Sequence, residues 1–213
     1  MDKLQKQYTL GEEIFSAVTH GVGALLSVAA LVLMIVRAAQ HKDAYAVVSA
    51  AIFGASLILL YTMSTLYHAL APAAAKRVFR IFDHTTIFLL IAGTYTPYLL
   101  VTLRGTLGWT LFGILWGLTV LGVVMDSIFL EKFHRIEQIL YIAMGWCILV
   151  SGKTLIANLA LPGILLLFAG GLFYTGGILF YRAKKIRYMH SIWHLFVLAG
   201  SICQFFSIYL YVL

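Results

Sequence analysis

Two histidines, His190 and His194, stand four residues apart near the start of the last apolar stretch of the chain. That spacing places them one turn apart on the same face of a helix. The apolar run that follows, from Ile192 to Leu213, is long enough to cross a bilayer. Because ionisable side chains inside such a segment are costly, a pair of them needs a reason, and a shared metal ion is the first hypothesis.

The composition indicates the environment of this pair. Of the 213 residues, 62% are hydrophobic and 11% are charged, whereas a soluble domain carries about a quarter charged residues. A chain this apolar predicts an all-α polytopic membrane protein that forms a single domain over residues 1–213. The net charge of +7 does not indicate nucleic-acid binding, because most Lys and Arg lie in short loops and no polar domain offers a binding surface.

Seven apolar segments meet the length of about 20 residues that a bilayer core requires. They run from Ile14 to Val36, Ala44 to Leu70, Phe82 to Leu103, Leu107 to Leu130, Ile136 to Ile156, Leu161 to Tyr181 and His190 to Leu213. Pro97 is expected to kink the third segment. The connections carry eleven Lys and Arg on one side and four on the other. The positive-inside rule therefore predicts a cytoplasmic N-terminus and a C-terminus outside.

With this topology, several polar residues fall at one depth near the cytoplasmic face. His68 lies at the end of the second span, Asp83 and His84 open the third, and His190 and His194 open the seventh. Chance placement would not align the depths of residues spread over so much of the chain. Three imidazoles with water in the fourth position form the open type of tetrahedral zinc site. His68, His190 and His194 are therefore the predicted Zn²⁺ ligands.

Asp83 and Ser64 are the expected supporting residues. Asp83 is expected to hydrogen-bond the metal-bound water or a ligand imidazole. Ser64 lies one turn before His68 and is expected to bond near the metal or a substrate oxygen. The alternative is that the histidines cap helices, bond across the bundle or lie in the headgroup layer. That alternative is preferred for any single histidine, whereas three at matched depth favour the metal.

Other ionisable residues near the same face have less defined roles. His20 could line the same cavity or could serve packing and hydrogen bonding. Glu12 and Glu13 are expected at the interface, near the positive end of the first helix. Asp126 is expected to extend from the end of the fourth span towards the interface.

These residues lie in sequence blocks that resemble the haemolysin III-like proteins, the bacterial branch of the progestin and adipoQ receptor superfamily. The blocks are STLYH at 64–68, FDH at 82–84, IAGTYTP at 91–97 and HSIWH at 190–194. The opening EE at 12–13 and THG at 19–21 also resemble that branch. The resemblance covers the whole chain. It implies a seven-helix fold in a bacterial inner membrane and a zinc site of His68, His190 and His194, with Asp83 and Ser64 beside it.

Three functions are compatible with these residues and this resemblance. The superfamily is similar to alkaline ceramidases, so the first is a zinc-dependent hydrolase of lipid amides or esters at the inner leaflet, acting in membrane lipid homeostasis. Zinc would lower the pKa of its water towards about 7, Asp83 would take the proton, and zinc with Ser64 would stabilise the oxyanion. The expected partners are membrane lipids, including a substrate in the bundle cavity.

The second function is a non-enzymatic regulator of membrane state, or a lipid sensor, in which zinc is structural. The third is a pore-forming cytolysin, which the family label haemolysin suggests. It ranks lowest, because the chain is hydrophobic throughout and has no charged pore lining.

Overall fold

A computed structural model describes residues 8–41, 43–183 and 185–213, and for residues 130–135 it describes the backbone alone. None of the described residues forms a β-strand. The helices are Leu10–Gln40 (α1), Ala44–Ala69 (α2), Ala73–Pro97 (α3), Thr106–Gly145 (α4), Gly152–Asn158 (α5), Leu161–Arg182 (α6) and Met189–Tyr211 (α7). The predicted all-α fold is confirmed.

These helices provide seven segments that are long and apolar enough to cross a membrane. One of them is Thr106–Phe129, and the next, Ile136–Asn158, combines the end of α4 with α5. Two segments belong to α4 because the backbone leaves helical geometry inside it, at Phe129 (φ −127°, ψ 28°). The predicted seven-span bundle is confirmed, and the orientation of its termini stays a prediction.

The third span begins earlier than the sequence predicts. The expected start was Phe82, after a basic loop, but α3 begins at Ala73 and already contains Lys76, Arg77 and Arg80. An alanine-rich start favours a helix, and long basic side chains can extend along a helix to reach water. Asp83 therefore lies about three turns after the first residue of α3 rather than at its opening.

α3 is the central helix of the bundle. In its most apolar window 72% of the residues are buried, against 22% in Ile136–Asn158. At Pro97 the α-helix changes into a π-helical turn, Tyr98–Thr102. Proline lacks the N–H that would continue an α-helix, so a change of helix type at this point lets the span continue.

The start of α1 is fixed against the start of α7. Thr9 and Glu12 form a capping box, in which the Thr9 N–H donates to Glu12 Oε2 at 2.8 Å. The other Glu12 oxygen accepts the backbone N–H of Tyr188 at 2.8 Å. Deeper in the bundle, Ser16 Oγ lies 3.0 Å from Ser191 Oγ. These contacts place α1 beside the end of α7 that carries the two histidines.

Candidate metal centre

Three histidine side chains from two helices meet at one end of the bundle. α2 contributes His68 in its last turn, and α7 contributes His190 and His194 from its first turns. Nε2 of His190 lies 3.3 Å from Nε2 of His68 and 3.2 Å from Nε2 of His194. His68 and His194 are buried, and His190 is partly buried. The three residues predicted as ligands are thus brought together.

The spacing of these nitrogens fits a shared metal ion. A ring nitrogen makes one hydrogen bond, as donor or as acceptor. The Nε2 of His190 therefore cannot be hydrogen-bonded to both of its neighbours. In a tetrahedral site with metal–nitrogen distances of about 2.0–2.1 Å, two ligand nitrogens lie about 3.3–3.4 Å apart. The His68, His190 and His194 group, called the histidine centre below, can satisfy all three nitrogens with one cation.

Glu13 on α1 orients one member of the histidine centre. Its Oε2 lies 2.6 Å from Nδ1 of His68, and its Oε1 accepts from Nζ of Lys76 at 2.5 Å. A carboxylate at Nδ1 holds the proton on that nitrogen and leaves the Nε2 lone pair available to a metal. The sequence suggested only an interfacial location for Glu13. Its spacing of seven residues from His20 puts both on one face of α1, which was the available signal.

Aromatic rings cover the histidine centre. His20 stacks on His194 with ring centroids 3.6 Å apart and also lines the adjacent cavity. Tyr8 stacks on His190 with centroids 4.6 Å apart. Burial raises the pKa of the Tyr8 phenol well above its ordinary value. Tyr8 covers the centre on the side of His190.

A cavity of about 340 Å³ adjoins the histidine centre. This volume falls within the range of small-molecule sites, near its lower limit. The cavity follows α6 from Gly171 to Tyr181, which corresponds to about 15 Å of helix. Most of its deeper wall is apolar, with Leu60, Leu90 and Val197 among the lining residues. The shape and lining suit a hydrocarbon chain.

The two supporting residues lie near the histidine centre in different settings. Asp83 is buried and lines the cavity together with His190. Ser64 is fully buried one turn before His68, and its hydroxyl has no hydrogen-bond partner within the described part of the chain. The structure thus places Asp83 on the cavity wall and Ser64 inside the bundle, one turn of α2 from His68. The catalytic roles assigned to them stay predictions.

Comparisons with known proteins agree with this architecture. A family model described as "Haemolysin-III related" matches residues 8–205. The chain belongs to the haemolysin III family. It is 48% identical to Hemolysin-3 from Bacillus cereus over 202 residues, which cover 95% of this chain and 92% of that protein. It is 46% identical to the Hemolysin-3 homolog of Bacillus subtilis (strain 168) over 204 residues, 96% of each chain.

A more distant relative is animal. The chain is 26% identical over 210 residues to the monocyte to macrophage differentiation factor of Homo sapiens, covering 95% of this chain and 85% of the human protein. Family membership and the seven apolar helices make this haemolysin III protein a multi-pass membrane protein. Its bacterial relatives suggest the cell membrane as its location.

One residue of this haemolysin III protein lies where the sequence did not predict it. Asp126 was expected to extend to the interface from the end of the fourth span. It is fully buried instead, close to His84 and Glu137. The helix continues for nearly a turn beyond Asp126 before it breaks at Phe129. On that turn the carboxylate lies close to His84 of α3 and Glu137 of the second half of α4, so neighbouring helices enclose it.

Proposed function

We propose that this haemolysin III protein is a zinc-dependent hydrolase of lipid amides or esters that acts in membrane lipid homeostasis. The observation that carries the proposal is the spacing of the three Nε2 atoms at the end of an apolar cavity. Three imidazoles with an open fourth position are the ligand set of catalytic rather than structural zinc sites. Imidazole ligands also suit zinc better than magnesium or calcium.

The cation would be held by His68, His190 and His194. When bound, zinc supplies Lewis acidity and lowers the pKa of a coordinated water towards about 7. Glu13 keeps the proton of His68 on Nδ1, so that Nε2 is available as a ligand.

Two polar residues would handle the proton and the developing charge. In this proposal a carboxylate oxygen of Asp83, on the cavity wall, accepts a proton from the attacking water and returns it to the leaving amine or alcohol. The buried hydroxyl of Ser64, without a partner among the described residues, donates to the substrate oxygen that gains negative charge.

The cavity would bind the hydrocarbon part of the substrate. Its apolar wall along α3, α6 and α7 receives an acyl chain and excludes bulk water. The carbonyl group would then lie at the polar end of the cavity, beside His190 and Asp83. A membrane lipid meets both requirements, because it carries an amide or ester next to a long apolar chain.

Purified wild type and His194→Ala test this function together. Bound zinc is measured by mass spectrometry, and fatty-acid release is measured from ceramide and from phospholipid in mixed micelles. We expect His194→Ala to lose about one zinc per chain and all turnover above background. His41→Ala is the matched control, because His41 is exposed at the end of α1 and should change neither quantity.

A lipid sensor or regulator with structural zinc is the second candidate. The observation that favours it is that the histidine centre joins α2 to α7, while Glu13 adds α1. Zinc in the wild type without turnover on any lipid tested would support this candidate and overturn the hydrolase. A wild type without zinc, after purification in zinc-supplemented medium, would contradict both.

A further inference from the structure

A second group of metal-ligand side chains lies apart from the histidine centre. His84 on α3 and Asp126 and Glu137 on α4 place one ligand atom each within 4.8 Å of one another. The group shares no residue with the histidine centre. We propose that His84, Asp126 and Glu137, called the carboxylate centre below, bind a second divalent cation.

Asp126 is the residue that points to a ligand. It has no exposed surface, and neither carboxylate oxygen has a hydrogen-bond partner among the described residues. A buried carboxylate without a partner costs several kcal/mol in a protein interior, on the order of the 3–5 kcal/mol lost when a buried ion pair is broken. A cation between Asp126, His84 and Glu137 would satisfy it.

The other two members are already oriented towards each other. Oε1 of Glu137 lies 2.8 Å from Nδ1 of His84. The hydroxyl of Tyr141 donates to the same Oε1 at 2.6 Å and lies 2.9 Å from the backbone oxygen of His84. Fixed partners of this kind hold metal ligands in position. The Glu137 and Asp126 carboxylates then provide the negative charge that a divalent ion requires.

The donor set defines the class of cation. One imidazole nitrogen and two carboxylates suit Mn²⁺, Fe²⁺ or Zn²⁺, since carboxylates favour manganese and imidazole favours iron and zinc. Two carboxylates also neutralise a divalent ion inside an apolar bundle. The histidine centre has three neutral imidazole ligands instead, so it should favour zinc over manganese more strongly than the carboxylate centre does.

The carboxylate centre and the histidine centre border the same cavity. His84 and Glu137 line the same cavity as His190. The histidine centre joins α1, α2 and α7, whereas the carboxylate centre joins α3 to both halves of α4. Both centres therefore border the cavity, and since they share no residue, a cation at either can bind without the other.

Manganese titration of the full-length protein tests the proposal. The protein is stripped with EDTA, loaded with one equivalent of zinc, and titrated with Mn²⁺ while free Mn²⁺ is followed by electron paramagnetic resonance. We expect one Mn²⁺ per chain in the zinc-loaded wild type and in His194→Ala titrated without zinc. Asp126→Asn and, as a second ligand variant, Glu137→Gln should bind Mn²⁺ at least about tenfold more weakly. Asp43→Asn is the control, because Asp43 caps α2 away from the cluster.

Thermal unfolding distinguishes a cation site from a cluster that is stabilised only by charges within the protein. The wild type should gain melting temperature when Mn²⁺ replaces EDTA, and Asp126→Asn should lose that gain. In EDTA, Asp126→Asn should be at least as stable as the wild type, because an unpartnered buried carboxylate has been removed.

Three results would overturn the proposal. The first is a zinc-loaded wild type that binds no Mn²⁺. The second is an Asp126→Asn that binds Mn²⁺ as the wild type does. The third is an Asp126→Asn that is destabilised equally with Mn²⁺ and with EDTA, which would assign Asp126 to a protein counter-charge such as Arg80, a residue that lines the cavity with His84 and Glu137. None of these results depends on whether the histidine centre hydrolyses lipids.

Discussion

Along α7, two sets of polar side chains face the bundle, and they differ in what they bind. In the second half of the helix, Gln204 Nε2 donates to the backbone oxygen of Leu167 at 3.0 Å. Ser207 Oγ donates to the backbone oxygen of Gly163 at 2.7 Å and accepts from the Tyr98 hydroxyl at 2.7 Å. Each group in this half finds its partner within the protein.

In the first half of α7, imidazole nitrogens lie close to one another. Nε2 of His190 faces two other Nε2 atoms, at 3.2 and 3.3 Å, and can be hydrogen-bonded to one of them at most. The difference is that polar groups in one half of the helix bond to other parts of the protein, whereas the close imidazole nitrogens in the other half form a candidate cation site. Buried polarity alone would not have separated the two halves, because both are polar and both are buried.

The largest expected effect is on metal binding at the first half. His190→Ala removes the nitrogen that both close contacts share, so bound zinc should fall by about one equivalent per chain. The rise in melting temperature that zinc gives the wild type should disappear with it. Zinc analysis and thermal unfolding with and without EDTA measure both effects.

Ser207→Ala is the matched variant on the same helix. It removes the Tyr98 and Gly163 contacts but no candidate ligand, so its zinc content should equal that of the wild type. Equal zinc loss in the two variants would show that the halves do not differ in the way their contacts suggest.

A smaller effect is expected at Glu13, which contacts the ligand His68 but is not itself a ligand. Glu13→Gln keeps the shape of the side chain but removes the negative charge beside Nδ1 of His68. The affinity for zinc should fall by about 10–100-fold, as is usual when the partner of a ligand imidazole is changed. Competition with a fluorescent zinc chelator gives the affinity.

The neighbouring carboxylate provides the control for that measurement. Glu12→Gln loses the charge at the capping box and at Tyr188, which should cost about 1 kcal/mol of stability. It should leave the affinity for zinc unchanged. If Glu12→Gln weakened zinc binding as much as Glu13→Gln, the hydrogen bond from His68 would not be the cause.

The sequence predicts the fold well because span length and hydrophobicity decide it. All seven spans were expected, and the main difference is the start of α3, where Lys76, Arg77 and Arg80 suggested a loop. Charge near a membrane surface marks an interface, but it does not show whether the backbone there is helical. Ala73 to Ala75 favour the helix, and that local preference prevailed.

The sequence predicts the site only in part, because the position of a residue along its span indicates its depth in the membrane and nothing else. The approach of His68 to His190 and His194 follows from three residues at one end of their spans. The contact of Glu13 with His68 and the burial of Asp126 depend on which helices are neighbours. Depth carries no information on neighbours, so Glu13 and Asp126 were both expected at the interface and no contact between Asp126, His84 and Glu137 was foreseen.

The smallest expected effect is in the second half of α7, where Gln204 and Ser207 bond to other parts of the protein. Tyr98→Phe removes the hydroxyl that donates to Ser207 Oγ, while the ring stays in a fully buried position. The same hydroxyl also lies 3.2 Å from Gln204 Oε1. Ser207 keeps its bond to the Gly163 oxygen and Gln204 keeps its bond to the Leu167 oxygen, so no donor is left without a partner. The loss of unfolding free energy should therefore be about 0.6 kcal/mol and at most about 1.7 kcal/mol, the range for hydrogen bonds between membrane helices.

Unfolding of Tyr98→Phe in a graded series of denaturing detergent, followed by circular dichroism, measures that loss, and zinc analysis accompanies it. Bound zinc should not change, because Tyr98 lies in a different span from every ligand of the histidine centre. A Tyr98→Phe variant that lost zinc would mean that the hydrogen bonds of one half position the histidines of the other. The two halves of α7 would then be one coupled unit. They would differ in their hydrogen-bond partners, but a change in one half would affect the other.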